Sequence, residues 1–168
     1  IGIFAALFKN AGYTTDLFDC TYYQDFHFKN NKEGLNEEEM REKNKSQPIY
    51  DEAELLEKGG APKKSNIKND FVTKVQNFRP DLILVSVVES TWFLAADLLE
   101  SVPVKDRRYK TLFGGVFATY ASDKIIKNQN VDYVCRGEGE EPIMEMCKRL
   151  ISGERIDNVA NFTVKGEG

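Results

Sequence analysis

A chain of 168 residues with 41% apolar side chains has the length of one domain and can bury a real core. Its 23 basic and 27 acidic side chains are interleaved, which argues against the basic footprint of a nucleic-acid binder. No apolar run nears the roughly 20 residues of a membrane-spanning helix. Ile1 to Leu7 lacks the basic flank and small-residue cleavage site of a signal peptide. Cys20, Cys135 and Cys147 show no C-x-x-C spacing, and Cys135 and Cys147 fall on apolar positions of predicted elements. Free thiols, a soluble chain and a reducing cytoplasm are the expectation.

From Ile1 to Gly12, Ile3, Leu7 and Phe8 recur at helical spacing, with Phe4 and Ala11 in the same broad stripe and Gly12 placed to end the helix. Tyr13 to Cys20 is short and rich in β-formers. Pro80 to Val88 is a near-continuous apolar run, as a strand covered on both faces requires. Lys110 to Phe113 and Val131 to Cys135 predict two further strands. Helical patterns lie over Asp70 to Phe78, Thr91 to Val102, Ala118 to Asn128 and Ile143 to Ile151, the last with Ile143, Met146, Cys147 and Leu150 on one face. Alternating strands and helices predict an α/β fold. The expected form is a flavodoxin-like, doubly wound parallel sheet in three αβα layers, with its ligand crevice at the carboxyl ends of the strands.

Residues 21–68 break that rhythm and read as a long insertion after the second strand. Asn36 with Glu39 resembles a capping box, and Glu37 with Arg41 and Glu39 with Lys43 are helix-supporting pairs. A solvated surface helix accounts for these charges. Gly59 to Ser65 has loop composition and returns the chain to the sheet.

Three strand ends carry unusual residues: Ser86 to Thr91, Gly114-Gly115, and Gly137-Glu-Gly-Glu140. Glycine lets backbone approach a bulky ligand and permits positive φ in a tight strand-to-helix turn. Ser86, Ser90 and Thr91 supply hydroxyls, and the helix starts supply free N–H groups. Such glycines also serve ordinary αβ turns, and Glu140, Glu141 and Pro142 suit the first turn of any helix. Carboxylates at the Gly-Glu-Gly-Glu turn, and the lack of a P-loop or dinucleotide fingerprint after any strand, argue against a nucleoside triphosphate. A neutral or amide-rich ligand fits better.

Ser86-Val-Val, Gly114-Gly115-Val-Phe-Ala-Thr119 and Asp132-Tyr-Val-Cys-Arg-Gly137-Glu-Gly-Glu140, in that order, resemble the amino-terminal cobalamin-binding domain of radical SAM enzymes. That group holds the cobalamin-dependent methyltransferases and the anaerobic oxidative cyclase of bacteriochlorophyll synthesis. The likeness spans residues 1 to about 20 and 69 to 165, roughly seven tenths of the chain, with Gly12-Tyr13 and Asp19 matching its opening. It implies a base-off cobalamin near Ser86, Ser90 and Thr91. Gly114 and Gly115 would pass beneath its nucleotide tail, Val116, Phe117 and Ala118 would also bind the cofactor, and Gly137, Glu138, Gly139 and Glu140 would line the far side. Chemistry would belong to the cofactor, so neither a catalytic nor a metal-ligating residue is assigned to this chain.

Asp25-Phe-His27 is similar to a cobalt-ligating Asp-x-His-x-x-Gly motif, but Asn30 stands where its glycine belongs and the stretch follows the second strand instead of the first. His27 is therefore read as a packed or surface side chain. Phe117 replaces a histidine common in relatives. By the same resemblance, a first strand would precede Ile1 and an iron–sulfur cysteine motif would follow Gly168. The chain then reads as a cobalamin-binding domain over 1–168, with 157–168 beginning the linker to a radical SAM domain in cis. That downstream domain would hold a [4Fe–4S] cluster, S-adenosylmethionine and a small-molecule substrate. The competing expectation is a cofactor-free flavodoxin-like scaffold that docks partners through residues 21–68.

Overall fold

The computed structural model describes residues 2–20, 23 and 63–166. The chain divides into two compact units, Ile1–Leu17 with Phe71–Gly168, and Phe18–Asp70.

The first unit is built on a sheet of β1 (Leu82–Ser86), β2 (Lys110–Gly114), β3 (Tyr133–Cys135) and β4 (Phe162–Val164), in that spatial order. β1, β2 and β3 are parallel, and β4 returns antiparallel to β3 with Val134 opposite Thr163. Phe162–Val164, within the segment expected to begin a linker, is thus part of the sheet. The helices among the described residues are α1 (Gly2–Asn10), α2 (Ile67–Phe78), α3 (Glu89–Ser101), α4 (Val116–Tyr120), α5 (Ser122–Ile125) and α6 (Glu140–Ser152). The boundary between the units falls inside α2. Its first turn is capped by Asn66, whose Oδ1 accepts the N–H groups of Lys68 and Asn69 at 3.1 Å each.

Period-two alternation sorts the sheet residues between two layers of helices. Leu112, Tyr133 and Cys135 face α1 and α6, in one core with Phe8, Ile143, Met146, Ile156 and Val159. Phe113, wholly buried, points the other way and meets Trp92 of α3 edge-on at 5.5 Å. A mostly parallel sheet covered on both faces is the flavodoxin-like α/β architecture that the alternating pattern predicts.

Three local expectations differ. Tyr13 to Cys20 forms no ladder. On α1 Phe8 is buried and Phe4, one turn before it, is half-buried against the same core, while Ile3 is 64% exposed. The helix predicted over Ala118 to Asn128 starts earlier, at Val116, and breaks at Ala121, which leaves Ala118, Ser122 and Ile125 buried.

Gly12 ends α1 as predicted. At φ 83° it lets Tyr13 N–H reach the Phe8 carbonyl at 2.9 Å while its own N–H bonds Lys9 at 3.0 Å, a Schellman ending.

Two side chains hold the amino edge of the sheet. Asp132 Oδ2 accepts from the Thr111 N–H at 2.9 Å, and its other oxygen pairs with Lys110 at 3.0 Å. This raises the Lys110 pKa, chiefly through that hydrogen bond. Asp132, read in sequence as the start of the glycine signature, therefore sits at the end of β3 opposite to the glycines. Arg107 clamps the carbonyls of Val102 (2.7 Å) and Glu100 (2.8 Å), beyond and at the end of α3, and the Asn130 side chain (2.8 Å). Arg107→Ala is expected to destabilise the chain by about 1–3 kcal/mol, the scale of hydrogen bonds made by a charged donor. A urea midpoint equal to that of the wild type would contradict the clamp.

The described part of the second unit centres on Tyr23, 5% exposed, in a parallel bridge with Lys63, whose ammonium lies 4.6 Å from the ring centroid. Tyr23 Oη donates to Asp70 at 2.9 Å. Burial first, and then that carboxylate, push the phenol up to about 12. The charge pairs at Glu37 to Lys43 and the Gly59 to Pro62 stretch lie outside the described residues, as does His27.

Candidate functional site

The carboxyl ends of β1, β2 and β3 deliver three loops to one edge of the sheet. After β1, Val87 is buried and its N–H donates to the Gly114 carbonyl at 3.0 Å, extending the ladder past Ser86. α3 then starts at Glu89, and Thr91 Oγ1 both accepts from the Val88 N–H and donates to the Val88 carbonyl, each at 3.1 Å. Thr91, expected to face a ligand, is committed to this turn. Ser86 and Ser90 stay exposed.

After β2, Gly115 adopts φ 94° and ψ −178°, a conformation open essentially to glycine alone. A Cβ there would lie 2.8 Å from the Val87 carbonyl oxygen and 3.0 Å from Ser86 Oγ. The missing side chain thus makes room for the loop after β1, and a ligand could meet Gly115 only through its backbone. Gly114 differs, since a Cβ on it meets nothing within 4 Å. α4 follows with Val116 exposed, Phe117 at 6.4 Å from the Trp92 ring, and Ala118 wholly buried.

After β3, Gly137 turns the chain at φ 72°, with open space around its Cα. Gly139 is buried, and a Cβ on it would meet Ile143 at 3.1 Å, with Cys135 and Phe4 at 3.4 Å. Its smallness serves helix packing. Glu140 opens α6 and its Oε2 accepts the Gly139 N–H at 3.2 Å. Glu138 and Glu140 line a shallow acidic groove between α6 and the loop at Val159 to Asn161, together with Glu141 and Glu145.

The structure therefore brings Ser86, Ser90, Gly114, Gly115, Val116 and Gly137 to one exposed edge, and turns Thr91, Ala118 and Gly139 inward to turn and core. Phe117 is half-buried beside Trp92. Val88, Phe93, Val116 and Tyr120, exposed between 49% and 86%, leave apolar surface on the loops and helices that follow β1 and β2. Lys124 stands over the Phe93 and Phe117 rings at 5.9 and 5.8 Å.

Two residues of the edge had no role assigned from sequence, although Thr119 closes the Gly-Gly motif. Thr119 links the second loop to the third, accepting the Gly137 N–H at 3.0 Å and donating to the Gly115 carbonyl at 3.2 Å. Asn161, at φ 65°, holds the third loop from its other side, donating to the Glu138 carbonyl at 3.2 Å and accepting the Arg136 N–H at 2.9 Å. A Gly-Gly followed by a hydroxyl four residues on was the available hint for Thr119; a lone Asn before a short strand carries no comparable signal.

Below this edge, burial first and the Glu140 carboxylate second push the Cys135 thiol up to about 11. Folded Cys135 keeps its proton above the ordinary 9.0, so its contribution to stability is complete below that pH and is lost as pH rises through about 11. Native protein at neutral pH is expected to resist iodoacetamide at Cys135 and to react there once denatured. Prompt alkylation of the native thiol would contradict this packing.

Among the described residues no helix is long and apolar enough to cross a membrane. No curated protein and no solved structure matches the chain. A family model described as a B12 binding domain matches residues 54–146, which is more than half of the chain and contains all three strand-end loops.

Proposed function

The chain belongs to the B12-binding domain family, and we propose that it binds cobalamin base-off at the carboxyl edge of its sheet and offers the upper corrin face to a radical SAM domain in the same polypeptide. The observation that carries this reading is the convergence of the three strand-end loops on one edge, inside the family span. Support for the radical SAM partner comes from the order and spacing of the strand-end motifs.

The residues present fit the cofactor. Exposed Val88, Val116, Phe93 and Tyr120 suit a broad, flat, largely apolar macrocycle, and the free space at Gly114 and Gly137 leaves the backbone approachable. Ser86 and Ser90 offer hydroxyls to an amide-rich rim. On this reading Ser86, Ser90, Gly114, Gly115, Val116 and Gly137 hold the cofactor, while Thr91, Phe117, Ala118, Gly139 and Glu140 shape the loops that hold it, and Glu138 borders the site.

When bound, cobalamin supplies alkyl-transfer or redox chemistry at cobalt. Ser86, Ser90, Gly114, Gly115, Val116 and Gly137 would hold the cofactor and orient it. Methyl transfer or oxidative cyclisation of a small molecule would be completed in the downstream domain, with its iron–sulfur cluster and S-adenosylmethionine. The free cysteines suit a reducing cytoplasm.

Electron paramagnetic resonance of the chain loaded with cob(II)alamin tests the ligation. The expected spectrum is base-off, without nitrogen splitting from an axial ligand, and identical in His27→Ala. Nitrogen splitting that disappears in His27→Ala would replace this reading with a histidine-ligated one.

A further inference from the structure

We propose that Thr119 is a positioning residue that sets the spacing between the glycine loops after β2 and β3 and so governs how tightly the edge holds its ligand. The identity of that ligand rests on the cobalamin reading above.

Thr119 belongs to α4, and its hydroxyl bonds two loops that belong to different strands. Its O–H donates to the Gly115 carbonyl four residues back, at 3.2 Å. The same oxygen accepts the Gly137 N–H eighteen residues on, at 3.0 Å. A hydroxyl is the smallest side-chain group that donates and accepts at once, so no aliphatic side chain of that size can replace it. Gly115 is itself seated against Val87 and Ser86, with a Cβ position 2.8 to 3.0 Å from their atoms. The end of β1, Gly115, Thr119 and Gly137 therefore form one continuous series of contacts across the proposed site.

The third loop has a separate anchor in Asn161, which bonds Arg136 and Glu138 from the β4 side. Removing the Thr119 hydroxyl leaves that anchor intact, as it does the Thr119 N–H bond to the Gly115 carbonyl at 3.2 Å, and releases only the link from α4 to Gly137. Because the contact is exposed, water takes up the Gly137 N–H while the Gly115 carbonyl keeps the Thr119 N–H, and global stability is spared. What is lost is the fixed separation that a rigid ligand needs.

The test compares wild type, Thr119→Val and Thr119→Ser by hydroxocobalamin titration, thermal unfolding and amide hydrogen exchange at Gly137. Thr119→Val should weaken binding by about 3- to 10-fold, the scale of one or two hydrogen bonds used for positioning. Its Gly137 amide should exchange faster while the unfolding midpoint stays in place, and Thr119→Ser should restore both affinity and protection. Unchanged affinity in Thr119→Val, or unchanged Gly137 exchange, overturns the proposal. If the wild type itself retains no cobalamin, the proposed function fails. The exchange data then decide this inference alone: faster exchange in Thr119→Val supports the loop-setting role, and equal exchange removes it.

Discussion

Gly115→Ala is expected to lower the unfolding free energy by about 2–6 kcal/mol, adding a glycine-only backbone conformation at about 1–3 to an overpacked contact at about 1–3. The backbone stands at φ 94° and ψ −178°, and the new methyl would lie 2.8 Å from the Val87 carbonyl oxygen. Backbone cannot turn aside as the tip of a flexible side chain can. Val87 also accepts the Phe117 N–H at 3.2 Å and donates to Gly114 at 3.0 Å, so displacing it would disturb both the end of β1 and the start of α4. Against a net stability of roughly 5–15 kcal/mol for a typical domain, this is a large fraction. Urea unfolding measures it, and a variant within about 0.5 kcal/mol of wild type, the range of neutral surface changes, would contradict the packing described.

Gly114→Leu has the opposite signature. A Cβ at Gly114 meets no atom within 4 Å, and its φ lies outside the left-handed region, so stability should move by no more than about 0.5 kcal/mol. The leucine projects into the open space at the end of β2, where the proposed cofactor contacts the backbone. Cobalamin affinity is expected to fall by about 100-fold or more, equivalent to about 2.8 kcal/mol. Together the two adjacent glycines separate fold from binding. Full affinity in a folded Gly114→Leu protein would move the site away from this edge.

The sheet was legible where local chemistry alone decides the conformation. Leu82 to Ser86 lies in an apolar run that marks a strand, but at the edge of the described sheet that strand is half-buried and not covered on both faces as expected, while Gly115 and Gly137 announce turns that glycine makes easily. Failures came where a residue's role depends on a partner distant in sequence. Tyr13 to Cys20 has β composition, but a strand exists only beside another strand. Asp132 shares a motif with Gly137, yet a strand of three residues carries them to opposite edges of the sheet. Gly139 and Gly137 look alike in sequence, and the first is packed against Ile143 and Phe4 while the second is open. The linking roles of Thr119 and Asn161 were not legible because the loop atoms they hold, Gly137 and Glu138, lie 18 and 23 residues away. Spacing marked the three loops; the contacts that hold them together needed the fold.

Anaerobic titration with hydroxocobalamin, followed by desalting and a visible spectrum, decides whether this edge binds cobalamin. Stoichiometric cobalamin with a base-off spectrum is expected to stay with the protein. A colourless protein after desalting, with its fold intact, would contradict cobalamin binding by this edge and leave the chain as a docking module.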